Sequence, residues 1–561
     1  MNLPTFDTTD KMSLINKLNF HAKLPEVLAK LKRCAFVAVD LEMTGIQGHS
    51  GDRNRYEDDM EDRYPRMVPV ASKYSIIQVG LTFFEQAPGS DAKEGSFVAS
   101  PYAFFVFPEW GADVVMSASS ITFLKQNNMD FNQWIINGVP YSDARGASNL
   151  REIKEKRDAA NAAMSAAAAA LVGNGNGNGD GVASSDGAAP KPPAPELVPE
   201  READREKLAA QKAAIAAFVA DATQEEYVIP PLFPFVRKCV YQYIETQFPA
   251  LRTKKGIEAY SIVVMKVDQE QQARMDAEDE AKMNEKLGFR LVWEALCSSK
   301  KPIVGHNCMF DLLFLFRWMD RPLPPGFLEF KSRFSSMLGE IFDTKYLANS
   351  DVLGAPADPD LQTDLGSLYK SVVTDNADYD AKKHLQFAEG FGYNEEDKQA
   401  HDAGYDSFMT GAIFARYIRA CGMDRIRATC RNRMFMFFSM YSCSLAEHEP
   451  HSLVRIRGDI YHLSGFKDDT VTDHVYSAGF LESHWELKWL GAQSMFLISK
   501  ESVAAAVPSE LPEGWRLLSL KEYEASRELM RRPQPTAVAI TAEAAAADEE
   551  PEAKKVRTSD V

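Results

Sequence analysis

Cysteine is sparse in this sequence, and the cysteines that are present are not arranged in pairs. Seven cysteines are scattered over 561 residues, with no C-x-x-C spacing among them. This argues against a structural zinc site and against a disulfide scaffold. The sequence therefore predicts a protein of a reducing compartment inside the cell.

Long apolar runs and glycine-rich nucleotide motifs are also missing. No apolar run reaches the roughly 18 residues of a membrane-spanning helix, and the first residues, MNLPTFDTTDKMS, lack a signal-peptide pattern. Neither G-x-G-x-x-G nor G-x-x-x-x-G-K-[ST] occurs, which disfavours a nucleotide-cofactor enzyme or an NTPase. We expect no membrane partner.

Basic residues are outnumbered by acidic ones. The chain has 63 Lys and Arg against 80 Asp and Glu, a net charge of −17, which excludes indiscriminate binding of polyanions over the whole surface. Arginines nevertheless cluster at 416–433, as Arg416, Arg419, Arg425, Arg427, Arg431 and Arg433. This cluster is either a stripe that follows an RNA backbone or a solvated helix face.

What is present is the composition of a folded protein of about three domains, with 45% hydrophobic and 25% charged residues. Residues 158–196, an alanine run followed by GNGNGNGDG and PKPPAP, cannot bury a core. The predicted organisation is a split domain at 13–150 and 276–447, a disordered linker at 151–204, an inserted small module at 205–275, a C-terminal domain at 448–525 and a disordered acidic tail at 526–561.

The first informative motif is FVAVDLEMTGI. Its apolar run predicts a buried strand, and side chains two apart on a strand share a face, so Asp40 and Glu42 should project together from the strand's carboxyl end. Alone, such a pair is better explained by a turn or a solvated surface.

Two further segments carry acid-base residues. Asp311 follows IVGHNCMF and begins an apolar stretch, in or just before the first turn of a predicted helix, where an acid is favoured by the helix dipole alone. In HDAGYDSFMTGAIF, His401 and Asp406 can meet at one centre if His401 lies on the loop before the helix and Asp406 one turn inside it. Otherwise His401 is an ordinary exposed histidine.

Together these residues have the chemistry of a two-metal phosphodiester hydrolase. Oxygen ligands hold hard cations and leave positions for water and phosphate, and two such cations about 3.5–4 Å apart activate water and stabilise the leaving oxygen. A histidine that is neutral near pH 7 can then act as general base.

The three motifs resemble the DEDD exonuclease superfamily in its histidine-containing subclass, and within it the deadenylases of the poly(A)-specific ribonuclease type. Supporting stretches include KYSIIQVGLTFF, PYAFFVFP, PLPPGFLEFK and FDTKYLA, so that the resemblance covers roughly residues 13 to 500, with an interruption near 150 to 205.

The resemblance implies a fold and an activity. The expected fold is α/β, a ribonuclease-H-like exonuclease core with an inserted small α/β nucleic-acid-binding module and a C-terminal RNA-recognition-motif-like α+β domain. The expected reaction is removal of poly(A) from the 3′ end with release of nucleoside 5′-monophosphates. Expected cofactors are two Mg²⁺, for which Mn²⁺ can substitute, held by Asp40, Glu42, Asp311 and Asp406, with His401 completing the catalytic set. Expected partners are single-stranded RNA, a 7-methylguanosine cap and a second copy of the chain.

Substrate residues also follow only from the resemblance. Met43 and Ile46 match positions that line the path of the last adenosines, and Lys345 matches a lysine near the RNA backbone. A member that trims small non-coding RNAs would share most of these residues. A non-catalytic cap- or RNA-binding factor is the other alternative, and the intact set of Asp40, Glu42, Asp311, His401 and Asp406 argues against it. Nuclear or cytoplasmic residence stays open, because the basic KKVR at 554–557 is too short to assign import.

The inserted module resembles a single-stranded nucleic-acid-binding module that carries an arginine and, four residues later, a histidine. Arg237 matches the arginine, but Tyr241 stands in place of the histidine. RNA binding and a packing role in the dimer are therefore both open for this module.

In the C-terminal domain, the β-sheet aromatics Tyr461 and Phe496 lie near the base-stacking positions of an RNA-recognition motif, although both also suit a small core. Trp489 matches a cap-stacking tryptophan by resemblance, with Trp485 as its rival.

Overall fold

The computed structural model describes residues 14–48, 54–89, 95–108, 113–156, 158, 197–248, 251–267, 269–353, 361–393, 402–454, 459–466, 485–499 and 510–531. The chain divides into two compact units. The first contains residues 1–52, 61–435 and 443–451, and the second contains 53–60, 436–442 and 452–561.

The N-terminal part of the chain contains both strands and helices. Its elements are β1 (Leu14–Ile15), α1 (Phe20–Arg33), β2 (Phe36–Met43), α2 (Met60–Lys73), β3 (Ile76–Gln86), β4 (Phe97–Phe107), α3 (Ala118–Gln126), α4 (Phe131–Asn137) and β5 (Val139–Pro140). Residues 144–156 are also helical.

The inserted module is a small α/β unit with its own core. Its elements are α5 (Glu202–Ala220), β6 (Glu226–Ile229), α6 (Pro234–Gln247), β7 (Leu251–Lys255) and β8 (Ile262–Lys266). The strands form an antiparallel sheet of order β6-β8-β7. Apolar side chains of α5 and α6, such as Ile215 and Val240, pack with Ile262 and Val264 of β8.

The chain then returns to the larger domain. The elements are α7 (Gln269–Leu287), α8 (Arg290–Ser299), β9 (Ile303–Gly305), α9 (Met309–Met319), α10 (Phe327–Met337), β10 (Ile341–Asp343), α11 (Thr344–Ala348), α12 (Leu365–Tyr369) with a π-helical turn at Lys370–Thr374, α13 (Ala381–His384), β11 (Leu385–Phe387), α14 (Ala403–Cys421), α15 (Met423–Cys430) and β12 (Arg433–Phe435).

The main sheet has the order β1-β4-β3-β2-β9-β10, with β5 and β11 beside β4. β2 and β3 pair antiparallel, as do β3 and β4, whereas β9 runs parallel to both β2 and β10. The central order β4-β3-β2-β9-β10 and these directions are those of a ribonuclease-H-like sheet. The α/β core implied by the resemblance is confirmed.

The largest core cluster lies between this sheet and α14. Phe36 of β2 stacks on Phe84 of β3 with ring centroids 4.6 Å apart, and Phe414 of α14 meets Phe36 edge-on at 5.0 Å. Nearly every residue of α14 up to Ile418 is buried. A helix buried on all sides lies in a domain interior, so core packing fixes the position of α14.

The second unit contains a four-stranded antiparallel sheet. The remaining elements of the chain are β13 (Tyr441–Ser444), β14 (Ser452–Val454), β15 (Ile460–Ser464), β16 (Trp485–Gly491), β17 (Ser494–Ser499), β18 (Arg516–Ser519) and α16 (Leu520–Arg531). The order β16-β17-β15-β18 is that of an RNA-recognition motif. Residues 467–484 and 500–509 of this domain lie outside the described residues.

Several boundaries differ from the predicted ones. Helix extends to residue 156, beyond the predicted linker boundary at 151, and α5 begins at Glu202 rather than at 205. Residues 53–60 belong to the second unit, where Asp58 accepts a hydrogen bond from Ser439 Oγ at 2.7 Å through its carbonyl oxygen. Such a contact between distant segments has no local sequence signal.

Across the described ranges, no helix combines the length and the apolar composition that a membrane crossing requires.

Candidate metal centre

The carboxyl end of β2 carries two acidic side chains on one face. Asp40 and Glu42 are separated by Leu41, which is buried, whereas the two acids are half-buried. The pleat of the strand directs alternate side chains to the same side, so this part of the prediction follows from local structure.

Asp406 reaches the same place from α14. It lies in the first turn of that helix and is 7% exposed. Carboxylate oxygens of Asp40, Glu42 and Asp406 all lie within 4.8 Å of one another, close enough to share a cation. The sequence stretches 40–42 and 406 are thus brought together only by the packing of α14 on the sheet.

Asp311 lies beside this group of three rather than within it. It stands in the first turn of α9, and its carboxylate accepts a hydrogen bond from the backbone N–H of Leu41, between the two acids of β2. The fourth predicted acid is therefore adjacent to the other three. The fifth predicted residue, His401, lies outside the described residues.

Burial and mutual repulsion shift the pKa values of these acids upward. Burial, followed by the charge of Asp406, raises the pKa of both Asp40 and Glu42 well above its usual range. Burial also raises the pKa of Asp311 to about 7, although the hydrogen bond from Leu41 opposes the rise. Acids crowded in this way hold protons unless a cation neutralises them.

The donor set fits hard divalent cations. Every side chain of the cluster offers carboxylate oxygen, which Mg²⁺ and Mn²⁺ prefer, and the raised pKa values show an excess of negative charge that a cation would relieve. The fit therefore rests on the type of donor atom in the cluster.

Three residues around the cluster were not identified from the sequence: Gln78, Asp343 and Asp402. Asp402 caps α14 by accepting hydrogen bonds from the N–H groups of Gly404 and Tyr405, and its charge raises the pKa of Asp40 and Glu42. An aspartate directly before a predicted helix is a capping signal that would have found it.

Asp343 is a fully buried carboxylate at the end of β10. It accepts hydrogen bonds from the backbone N–H groups of Asn307, Lys345 and Phe435 at 2.9 Å each, and from Tyr346 at 3.4 Å. It thereby joins the loop before α9 to the start of α11. No sequence pattern connects these segments.

The predicted substrate residues of the first unit lie near the ends of their elements. Met43 ends β2 after a bulge, and Ile46, on the loop that follows, is 51% exposed. Lys345 lies in the first turn of α11, with Nζ 5.3 Å from the ring centroid of Phe435. Exposure of Ile46 leaves its side chain accessible to a ligand.

Three of the six arginines of the 416–433 cluster form ion pairs with glutamates. Arg427 pairs with Glu340 at 2.9 Å, Arg431 with the same glutamate at 3.7 Å, and Arg433 with Glu449 at 3.1 Å. These three arginines are therefore less available to an RNA backbone than the sequence indicates.

In the inserted module, Arg237 lies over the aromatic ring of Tyr260. The guanidinium of Arg237 lies 5.2 Å from the ring centroid of Tyr260, which is 59% exposed, whereas Tyr241 packs against the core of the module. Tyr241 therefore serves packing, and Arg237 with Tyr260 forms the accessible pair.

In the second unit, the predicted stacking residues differ in exposure. Phe496 is fully buried, and its ring and that of Tyr523 of α16 are nearly perpendicular, with centroids 5.1 Å apart. Base stacking by Phe496 stays a prediction. Tyr461 is half-buried and meets the buried Trp485 edge-on at 5.8 Å. Trp489 is 43% exposed and Trp485 is 2% exposed, so Trp489 is the more accessible of the two rival tryptophans.

Comparison with known proteins places the chain among nucleases. Residues 15–414 match the CAF1 family ribonuclease. The chain is 26% identical over 542 residues to the poly(A)-specific ribonuclease PARN of Xenopus laevis, covering 91% of this chain and 81% of that protein. The corresponding protein of Homo sapiens is 27% identical over 552 residues, with 91% and 80% covered. The pre-piRNA 3′-exonuclease trimmer of Bombyx mori is 23% identical over 419 residues, with 72% and 70% covered.

Proposed function

Because the chain belongs to the CAF1 ribonuclease family, we propose that it is a metal-dependent 3′-to-5′ exoribonuclease that removes poly(A) tails from RNA and releases nucleoside 5′-monophosphates. The observation that carries this proposal is the approach of Asp40, Glu42 and Asp406 to within 4.8 Å. Poly(A) as the substrate is supported by relatives that bear that specificity in their names.

The acidic cluster would hold the cations. We assign two Mg²⁺, replaceable by Mn²⁺, to Asp40, Glu42, Asp311 and Asp406 on the basis of their oxygen donors and excess charge. Bound cations would supply charge neutralisation at the scissile phosphate and a more acidic water. His401 would accept the proton of that water as general base.

The chain's own residues would orient the 3′ end. Met43, at the end of β2, and Ile46, on the loop after it, would line the path of the terminal adenosines. Lys345 would contact the RNA backbone. The accessible side chain of Ile46 and the position of Lys345 shortly after Asp343 support these roles.

A second substrate class has its own support. The similarity to the Bombyx mori trimmer favours 3′ trimming of small RNAs as the alternative within the same chemistry.

In either case we propose that the protein acts in the nucleus or cytoplasm as a homodimer. All seven cysteines, which lie in the described part of the chain, are unbridged and so suit a reducing compartment.

Cap recognition is a further part of the proposal. Trp489 is 43% exposed, and a methylated, electron-poor base stacks well on an indole ring. Tyr461 would contribute RNA contacts from β15, which β17 separates from the strand of Trp489.

The test is a time course with wild-type protein on 3′-oligo(A), mixed-sequence and structured 3′ ends, capped and uncapped, with Mg²⁺ or with EDTA. We expect stepwise shortening of the oligo(A) substrate that needs Mg²⁺ and yields 5′-AMP. Faster trimming of the mixed-sequence end would favour the alternative, and unchanged RNA in Mg²⁺ would contradict the enzyme.

A further inference from the structure

One face of β3 is built to receive the start of α14. Gln78, Gly80 and Thr82 are alternate residues and so point to the same side of the sheet. In the antiparallel pairing of β2 with β3, Gln78 stands opposite Glu42 and Gly80 opposite Asp40. The two acids and the three β3 residues therefore share one face, across which α14 lies.

Gln78 uses both ends of its amide on the segment before Asp406. Its Oε1 accepts a hydrogen bond from the Ala403 N–H at 2.9 Å, and its Nε2 donates to Asp402 Oδ2 at 3.2 Å. The side chain is 1% exposed. Because one partner is a donor and the other a carboxylate, the amide can adopt only one orientation here.

Asp402 connects Gln78 to Asp406, the proposed metal ligand, through hydrogen bonds. The backbone N–H of Asp406, one helical turn after Asp402, donates a hydrogen bond to the Asp402 carbonyl oxygen at 2.9 Å. The side-chain oxygen Oδ1 of Asp402 accepts hydrogen bonds from the N–H groups of Gly404 and Tyr405. A shift of Asp402 would therefore move Asp406 with it.

Gly80 and Thr82 complete the contact. A Cβ on Gly80 would lie 1.8 Å from the carbonyl oxygen of Ala403, so only glycine permits the helix to approach this closely. Thr82 Oγ1 lies 2.8 Å from Ser407 Oγ, which in turn donates to Gly404 O.

We propose that Gln78 is a positioning residue that, with Gly80 and Thr82, sets the place of Asp406 relative to Asp40 and Glu42 and so sets the affinity of the site for its cations. The inference rests on the proposed function and deepens it, because it names what orients a ligand of the cation site. Partners that orient metal ligands commonly control metal affinity.

The principal test is Gln78→Glu in the full chain. This change keeps the shape but places an acceptor against Asp402, so we expect Mn²⁺ affinity, measured by calorimetry without RNA, to fall by about 10- to 100-fold. The Mg²⁺ concentration for half-maximal exonuclease rate should rise in parallel, while the KM for oligo(A) at saturating Mg²⁺ stays near that of the wild type.

A second substitution that restores Mn²⁺ affinity would distinguish a positioning role of Gln78 from a general loss of structure. When Gln78→Glu is combined with Asp402→Asn, the asparagine amide can donate to the introduced carboxylate while its oxygen still caps α14, so Mn²⁺ affinity should return toward the wild-type value. Glu85→Gln changes a residue on the opposite face of the same strand, where Glu85 pairs with Lys30 at 3.1 Å. It should leave Mn²⁺ affinity unchanged.

Wild-type Mn²⁺ affinity in Gln78→Glu, or a double variant as impaired as the single one, would overturn the proposal. If Gln78→Glu does not fold, Thr82→Val, which removes the bond to Ser407, must lower Mn²⁺ affinity by a smaller factor for the proposal to stand. An inactive wild type would contradict the proposed function, whereas the Mn²⁺ titrations would still decide the role of Gln78.

Discussion

At the scale of single residues, the main feature of the site is the close approach of several negatively charged carboxylates. Asp40 and Glu42 come from one strand and Asp406 from a helix, and their oxygens lie within 4.8 Å. Asp311 and Asp402 add their charges nearby and raise the pKa of Asp40 further. Such crowding destabilises a folded protein unless protons or cations balance it, which makes each acid a sensitive point for mutation.

Replacing Asp406 with asparagine should remove turnover while RNA binding persists. The change keeps the shape but deletes a charge that would hold a cation, and we expect a fall in single-turnover rate on the order of 100-fold or more. Quench-flow on oligo(A) and fluorescence anisotropy measure the two properties. Asp378→Asn, at an exposed position, is the matched control, and equal rates in both variants would exclude Asp406 from the cation site.

Cation binding should release protons near neutral pH. The pKa of Asp311 is raised to about 7 and those of Asp40 and Glu42 are also raised, so a cation must displace protons from the folded protein. We expect Mg²⁺ affinity to rise between about pH 6 and about pH 8. Calorimetry in buffers of different ionisation enthalpy gives the proton count; a binding enthalpy that does not vary with buffer would contradict the raised pKa values.

The same shifts fix the sign of a stability effect. Because these pKa values are higher in the folded than in the unfolded chain, the acids bind more protons when folded, and their contribution to stability falls as pH rises from the unfolded value toward about 7. Added Mg²⁺ should therefore raise Tm more at the alkaline end of this window than at the acidic end.

At the scale of elements, the approach of α14 to β3 decides whether the site exists. The helix is buried along its length, and its start lies against Gly80, where a Cβ would meet the carbonyl oxygen of Ala403 at 1.8 Å. Asp343 has the corresponding role for α9 and α11, through its hydrogen bonds to Asn307 and Lys345. Two buried contacts thus orient the helices that carry Asp406 and Asp311.

Gly80→Ala should cost about 1–3 kcal/mol of unfolding free energy, because helix and strand must separate to admit the methyl group. Chemical denaturation followed by circular dichroism measures the loss. Gly392→Ala is the control, since a Cβ there meets nothing within 4 Å. Equal stability of the two variants would mean that α14 can shift at little cost.

At the scale of the whole molecule, the proposed activities fall in different units. The acidic cluster lies in the first unit, and the four-stranded sheet with Trp489 lies in the second. Since the two tryptophans of β16 differ so much in exposure, 43% for Trp489 against 2% for Trp485, their substitutions should have different consequences.

Trp489→Ala should weaken binding of a cap analogue by roughly 1 to 3 kcal/mol, while Tm and hydrolysis of uncapped oligo(A) stay close to wild type. Trp485→Ala should instead lower stability by about 3–5 kcal/mol, as the loss of a buried ring does. Titration of tryptophan fluorescence and thermal melts separate the cases. Phe437→Ala, 61% exposed in the same unit, is the control, and unchanged cap affinity in Trp489→Ala would reject this ring.

Local patterns in the sequence determined the elements and the kind of chemistry. The period of two in FVAVDLEM placed Asp40 and Glu42 on one face, and the apolar runs after Asp311 and around Asp406 predicted the helices that carry them. These inferences hold because a strand or helix directs its side chains by backbone geometry alone.

Only the tertiary structure decided how those faces meet. Strand register placed Gln78 opposite Glu42, and the packing of α14 gave that glutamine its contacts with Asp402 and Ala403. Burial of Phe496 beneath Tyr523 likewise depends on a helix that follows it in the chain. Contacts between segments hundreds of residues apart are set by core packing and strand pairing, for which a single sequence contains no local signal.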